Sequence, residues 1–227
     1  MKGTLSIVAT PIGNLEDITL RALRTLREAD AILCEDTRVT SKLLAKYEIS
    51  KPLIRCDEKM EAKAATQAIE MLGEGKHLAL VSDAGTPGIS DPGARLVARV
   101  RREAPDTTIE AIPGPSALTA ALSIAGLESG EFLFLGFLPH KKGRQTAMKA
   151  ILASKVPVVL YESPHRVEKL LQALGDREVS VGRELTKLHE EFITGRGVDN
   201  FLSLKERGAV RGEFVVIVHP LQRAAAD

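Results

Sequence analysis

The chain has 227 residues, 44% hydrophobic and 27% charged, with a formal net charge of +1, which describes an ordinary soluble globular protein of one large or two small domains. No apolar run reaches the roughly 20 residues that cross a bilayer. Near-neutral charge, 4% aromatic residues and no tryptophan argue against a global basic field or a row of stacking platforms for nucleic acid.

Met1-Lys2-Gly3-Thr4 leads straight into a strand with no signal-peptide core after it. Cys34 and Cys56 form neither a disulfide framework nor a metal spacing, and no His/Cys/Asp/Glu cluster has zinc spacing. The expectation is a cytoplasmic protein without a metal.

In chain order, Leu5–Ala9 reads as a first, mostly apolar strand, as in a sheet covered on both faces. Asp17 or Thr19 caps a helix reaching about Asp30. Ala31–Cys34 is a second strand, followed by a helix with Val39, Leu43, Leu44 and Tyr47 on one face. Pro52–Cys56 is a short strand. The next helix, from about Met60, carries Ala64, Ala65, Ala68, Ile69 and Leu72 on one side and stops at Gly73 or Gly75. Leu78–Val81 is a central strand and Thr108–Ile112 a fifth. Strands alternating with helices predict a largely parallel α/β sheet.

The chain is organised around Ser82–Gly93, which follows that central strand. Its three Gly before the Asp91-Pro92 pair, its carboxylates and its hydroxyls fit a ligand loop at the carboxyl end of a strand. Asp91 as N-cap and Pro92 as first residue would start the next helix. Pro113-Gly114-Pro115-Ser116 is the strongest break, and the predicted division is residues 1–115 and 116–227. In the second half, Phe132–Leu135, Val156–Tyr161, Glu178–Val181, Glu190–Thr194 and Gly212–Val218 read as strands. Ser163 caps and Pro164 opens a helix with Val167, Leu170, Leu171 and Leu174 on one stripe, and a short helix spans about Asn200 to Arg207.

There is no Gly-x-x-x-x-Gly-Lys-Ser/Thr, no Gly-x-Gly-x-x-Gly after the first strand and no Gly-x-Ser-x-Gly, which removes a P-loop, an ordinary dinucleotide site and a hydrolase elbow. Gly/Pro loops with few fixed charges remain, suited to a nucleoside-like ligand held by main-chain groups. Thr10–Leu15, Glu35–Arg38, Ser82–Pro87, Asp91–Gly93, Pro113–Ser116, Gly136–Pro139, Tyr161–Arg166, Arg183–Lys187 and Gly212-Glu213 follow in that order. As a set they resemble the bacterial 16S ribosomal RNA (cytidine 2′-O)-methyltransferases, in the tetrapyrrole-methylase class of S-adenosylmethionine enzymes, over nearly the whole chain. The resemblance implies two α/β domains with mostly parallel sheets and a ligand cleft between them. It also implies a homodimer that uses S-adenosyl-L-methionine to methylate a cytidine ribose in the decoding centre of the small ribosomal subunit. Where the family usually has a His-rich stretch, this chain reads Cys56-Asp57-Glu58-Lys59.

By resemblance the methyl donor lies against Pro11, Asp83, Gly85, Thr86, Ser116, Ala117, Tyr161 and the turn Gly212, Glu213, Phe214. Asp83 accepts from the ligand or closes its own turn, and Ser116 bonds the ligand or caps its own helix. Methyl transfer needs positioning above all, and a base adds a factor of roughly 10²–10⁴. Base candidates near strand ends are Glu35, Asp36, Glu162, His165, Glu184 and Lys187, with Glu184–Lys187 readable also as a structural ion pair. Arg38, Arg166 and Arg183 are candidate phosphate grips, and Lys141, Lys142 and Arg144 form the best local RNA patch. The rivals are a small-molecule methyltransferase of tetrapyrrole type and a non-catalytic nucleoside-binding module associated with the ribosome.

Overall fold

The apolar runs of the first half stand side by side in one sheet because each has helices to cover both faces. The structure is a computed structural model and describes residues 2–221. Its first unit, Met1–Ser116, runs β1 (Thr4–Val8), α1 (Leu20–Glu28), β2 (Ala31–Cys34), α2 (Thr37–Lys46), β3 (Leu53–Arg55), α3 (Glu61–Gly73), β4 (His77–Val81), α4 (Ala94–Glu103) and β5 (Thr108–Ile112). The strand order is β3-β2-β4-β1-β5, and every pairing is parallel.

Successive residues of a strand point to opposite faces, and β2 shows the consequence. Ile32 and Cys34 pack with Leu23, Leu26, Leu43 and Leu44 of α1 and α2. Ala31 and Leu33 pack with Ala64, Ala68 and Leu72 of α3 and with Leu96 and Val100 of α4. A sheet covered this way needs apolar residues at consecutive positions. Because all five strands run the same way, their carboxyl-end loops gather along one edge.

The helix starts follow local chemistry in two cases. Thr19 caps α1, its Oγ1 accepting from the Ala22 N–H at 3.0 Å, whereas Asp17 lies in a 3₁₀ turn, Leu15–Asp17. Asp36 caps α2 through the Arg38 N–H at 2.8 Å. The start expected at Asp91-Pro92 is corrected: α4 begins at Ala94 with Gly93 as N-cap. The cap oxygen comes from α3, where buried Glu61 Oε1 accepts from the Gly93 N–H at 3.0 Å and the Leu96 N–H at 3.3 Å.

The second unit, Ala117–Asp227, runs α5 (Ala117–Ile124), β6 (Leu133–Phe137), α6 (Arg144–Ala153), β7 (Val158–Glu162), α7 (Pro164–Leu174), β8 (Glu178–Arg183), β9 (Glu191–Arg196), α8 (Gly197–Glu206) and β10 (Phe214–Val218). Its order is β6-β7-β10-β8-β9. Here the expectation of mostly parallel strands needs correction, since only β6–β7 is parallel and the other three pairings are antiparallel. The physical reason is the short β8–β9 connection, which permits only an antiparallel neighbour, and β10, which enters between β7 and β8 in the opposite sense. Val167, Leu170, Leu171 and Leu174 of α7 are buried against Val158, Leu160, Val179, Val181 and Val216. Among the described residues no helix is long and apolar enough to cross a membrane.

Candidate functional site

In the first unit, Thr10 and Gly85 exchange backbone hydrogen bonds of 2.9 and 3.0 Å, which sets Pro11 beside the Ser82–Pro87 loop. Gly85 has φ 83, and a Cβ there would stand 3.4 Å from the Ile12 side chain and 3.7 Å from the Pro115 carbonyl. Thr86 Oγ1 donates to that same carbonyl at 3.2 Å. The structure therefore groups Pro11, Gly85, Thr86 and the Pro115-Ser116 turn, with main-chain groups at the surface of the group.

Asp83 Oδ1 accepts from the Asp36 N–H at 3.0 Å, tying the loop after β4 to the loop after β2. Burial raises the Asp83 carboxyl above its ordinary pKa, with the Asp36 N–H opposing and the Asp36 charge adding to the rise. Glu35 is raised by burial and then by Asp83, Asp57 and Asp36. Asp91 is pushed up to about 7 by burial and by Glu35, with Ser82 pulling the other way and Asp83 adding to the rise. Carboxyls near strand ends thus face one another here, and each holds its proton more tightly than in water.

The family's His-rich stretch is replaced by a structural turn. Asp57 Oδ1 accepts from the Lys59 and Met60 N–H groups at 3.1 and 2.8 Å. Cys56 is buried and its thiol is pushed up to about 12 by burial, then by Glu61, which makes it an inert core residue. Among the described residues no group of three or more His, Cys, Asp and Glu is placed to hold a metal.

In the second unit, Glu184, Lys187, Gly212 and Glu213 come together. The Glu184 N–H donates to the Glu213 carbonyl at 3.0 Å, and the Glu213 N–H donates back to Glu184 Oε1 at 2.9 Å. Lys187 Nζ donates to Glu184 Oε1 and to Glu213 Oε2, both at 2.9 Å. Burial works against the Lys187 charge, but the two carboxylates outweigh it and raise its pKa. Burial likewise opposes the Glu184 charge, and the Lys187 and Glu213 hydrogen bonds overcome it, holding that carboxyl low. Lys187 is a cation locked between carboxylates, the ion-pair alternative for this motif, and a cation accepts no proton. Phe214 is 2% exposed and belongs to the core, so only its backbone faces the turn. Tyr161 Oη accepts from the Leu118 N–H at 3.1 Å, next to Ala117 at the start of α5, and its ring stands edge-on to Phe134 and Phe137.

Glu162 is 1% exposed. Its Oε1 lies 2.7 Å from Arg166 Nε and accepts from the Ser163 N–H at 3.0 Å, and its Oε2 lies 3.5 Å from Arg144 Nη1. Sealed in this way it orders two arginines and does not meet a substrate, which corrects its placement among the bases. It also explains why Ser163, although it is the N-cap of α7, makes no side-chain cap bond. His165 is exposed at the first turn of α7.

The six basic candidates divide sharply. Lys141 and Lys142 are exposed and form no ion pair among the described residues. Arg144 and Arg166 serve Glu162, and Arg166 also donates to the Leu138 carbonyl at 2.9 Å. Arg183 is bound to Glu191 at 3.1 Å with its side chain 11% exposed. Arg38 is exposed but forked onto Asp36. Sequence reasoning missed Glu61, because the N–H groups that it caps lie more than thirty positions away, and it read Asp91 only as a cap.

Glycine-rich turns at the carboxyl ends of parallel strands, next to carboxyls in a partly desolvated setting, suit a nucleoside-bearing cation. The chain belongs to the tetrapyrrole (corrin/porphyrin) methylase family, whose model matches residues 4–198. Its cofactor is therefore S-adenosyl-L-methionine, which supplies an electrophilic methyl group when bound. The chain is similar to the ribosomal RNA small subunit methyltransferase I of Thermotoga maritima, 47% identical over 220 residues, covering 95% of this chain and 98% of that one. It is 43% identical to the Bacillus subtilis protein of the same name, covering 99% of this chain and 78% of that one. Among solved structures, a diphthine synthase superposes with a TM-score of 0.71 at 18% identity, covering 96% of this chain and 90% of that one. A cobalt precorrin-4 methyltransferase superposes with 0.70 at 19% identity, covering 95% and 94%. These two likenesses concern the fold.

Proposed function

We propose that the chain methylates the ribose 2′-hydroxyl of a cytidine in the 16S RNA of the small ribosomal subunit, in its decoding centre, as a cytoplasmic homodimer. The observation that carries this reading is the 47% identity to the Thermotoga maritima ribosomal RNA methyltransferase over 95% of the chain, a span that includes every loop described above.

In the first unit, Pro11, Gly85, Thr86 and Ser116 hold the donor's adenosine with main-chain and hydroxyl groups, and Asp83 accepts from it. Crowding at Gly85 supports this, since a ligand has to lie against the backbone there. Exchanging Asp83 for Ala weakens donor binding in calorimetry by about tenfold, the scale of a lost charge-assisted hydrogen bond. It also loosens the Asp36 loop, so chemical-shift changes spread to Glu35–Arg38. Unchanged affinity would remove Asp83 from the donor site.

Lys141 and Lys142 supply phosphate contacts on the approach to α6. Neutralising both lowers affinity for small-subunit RNA and reduces the salt slope by about 2; an unaltered slope rules the patch out. The homodimer reading rests on an apolar strip in the second unit. Ile124, Phe132, Leu133, Leu135 and Phe137 are 38–51% exposed, on and around edge strand β6, and such a strip calls for a partner surface. Sedimentation at micromolar concentration gives twice the chain mass if the strip is covered by a second copy.

The reaction itself is tested by transfer of a radiolabelled methyl group to small ribosomal subunits that lack the modification, followed by digestion to nucleosides. Label in 2′-O-methylcytidine is the expected result. Bound donor without label in the RNA would move the assignment to a small-molecule methylase or a non-catalytic module.

A further inference from the structure

We propose that Asp91 is the group that takes the proton from the substrate hydroxyl. The inference rests on the RNA 2′-O-methylation reading and deepens it.

The geometry starts from the displaced cap. Asp91 stands two residues before the first turn of α4, where an aspartate ordinarily caps its helix. Glu61 has taken that task, so the Asp91 carboxyl is turned away from the helix N–H groups. The Ser90 backbone that presents it has φ 66, a left-handed conformation that a non-glycine residue adopts only where its surroundings enforce it. Asp91 lines an open pocket of about 320 Å³ with Glu58, Glu61, Ser90 and Arg95. It also faces Ser82, Glu35 and Asp83, the last two from the loops after β2 and β4. It therefore adjoins the turn that Gly85 and Thr86 occupy, and it is open to a ligand, unlike Glu162.

The charged groups around it set its basicity. Glu35, Asp83, Glu58 and Glu61 are carboxyls, and Arg95 is the one cation on the pocket wall. Burial and like charge keep the Asp91 proton affinity near neutrality, where a base is both free to accept a proton and strong enough to hold it. Neither Lys187, a paired cation, nor Glu184, a carboxylate held low by its partners, has that property. In the step itself the 2′-oxygen forms its bond to the methyl carbon. The carbon–sulfur bond breaks with its electron pair left on sulfur, and the hydroxyl proton passes to the Asp91 carboxylate.

The test compares wild type with Asp91→Asn in labelled methyl transfer across pH 5–9, alongside calorimetric donor binding and carboxyl titration by ¹³C NMR. The expected result is a wild-type kcat that rises through an ionisation near 7. The variant loses about 10²–10⁴-fold in kcat, lacks that ionisation, and binds S-adenosylmethionine within about threefold of wild type, the scatter of an untouched site. One carboxyl resonance titrating near 7 is present in wild type and missing in the variant. An Asn variant at wild-type rate, a slow variant with its pH profile intact, or an Asp91 resonance titrating near 4, its unperturbed range, overturns the proposal. Labelled RNA together with a fully active variant sinks the Asp91 assignment alone. Absence of label in RNA with wild-type enzyme sinks the RNA reading, and the assignment with it.

Folding of the variant is checked by thermal melting. The folded-state pKa of Asp91 is raised above the unfolded value of about 3.9. Wild type therefore loses stability as pH rises from about 4 through the folded value of about 7, and Asp91→Asn does not. The variant melts higher than wild type at pH 8.

Discussion

Replacing Glu162 with Ala or Gln lowers the stability of the second unit by about 3–5 kcal/mol, the cost of leaving buried charge without its partner. Two guanidinium groups converge on this carboxylate, from Arg144 at the start of α6 and Arg166 in the first turn of α7, with side chains 21% and 17% exposed. Removing the carboxylate leaves two cations facing each other in a site closed to water. Gln keeps the shape but not the charge, so it fares little better than Ala. At roughly 2–4 °C per kcal/mol for a chain of this size, the transition falls by about 6–20 °C in calorimetry. A triple variant with Arg144 and Arg166 also replaced by Met recovers much of the loss, because a packed apolar trio avoids the desolvation cost. If Glu162→Ala melts with wild type, the trio is not buried as described.

The second large effect is at Gly212. Its φ is 89, and a Cβ added there would lie 2.5 Å from the Glu184 carboxyl carbon. Ala therefore meets two costs, about 1–2 kcal/mol for a side chain in the left-handed region and the expulsion of the Glu184 carboxylate from Lys187 Nζ and the Glu213 N–H. Together these give a loss of about 3 kcal/mol in denaturant unfolding. A double-mutant cycle separates them. On a Glu184→Ala background the carboxylate is gone, and Gly212→Ala costs only the backbone part. A coupling of 1 kcal/mol or more is expected for groups in contact; additivity would show that the two turns are independent.

These sites show what the sequence makes legible. The strands of the first unit are plain because a sheet covered on both faces demands consecutive apolar residues, and Ala31-Ile32-Leu33-Cys34 can do little else. The stripe of α7 is plain for the same reason. Strand direction in the second unit is not, because β6-α6-β7-α7-β8 alternates like the first unit and nothing local records that β10 enters antiparallel. The loops that carry the family resemblance were found by their glycines, prolines and charges. The tasks of those charges were hidden where a partner lies far along the chain. Arg144 and Arg183 look like phosphate grips until Glu162 and Glu191 are seen beside them. Asp91 looks like a helix cap until Glu61 is found in that position.

The place of β10 bears on how the chain is made. The first sheet has all its strands once Ile112 is synthesised, so that unit can fold while the ribosome is still translating the rest. The second sheet has its last-made strand, Phe214–Val218, in the middle, between β7 and β8. Until those residues leave the exit tunnel, β6–β7 and β8–β9 are separate ribbons with bare inner edges, each too small to be stable alone. A nascent chain stopped short of Phe214 therefore carries one finished unit and two sticky fragments, and chaperone demand during synthesis falls on the second half.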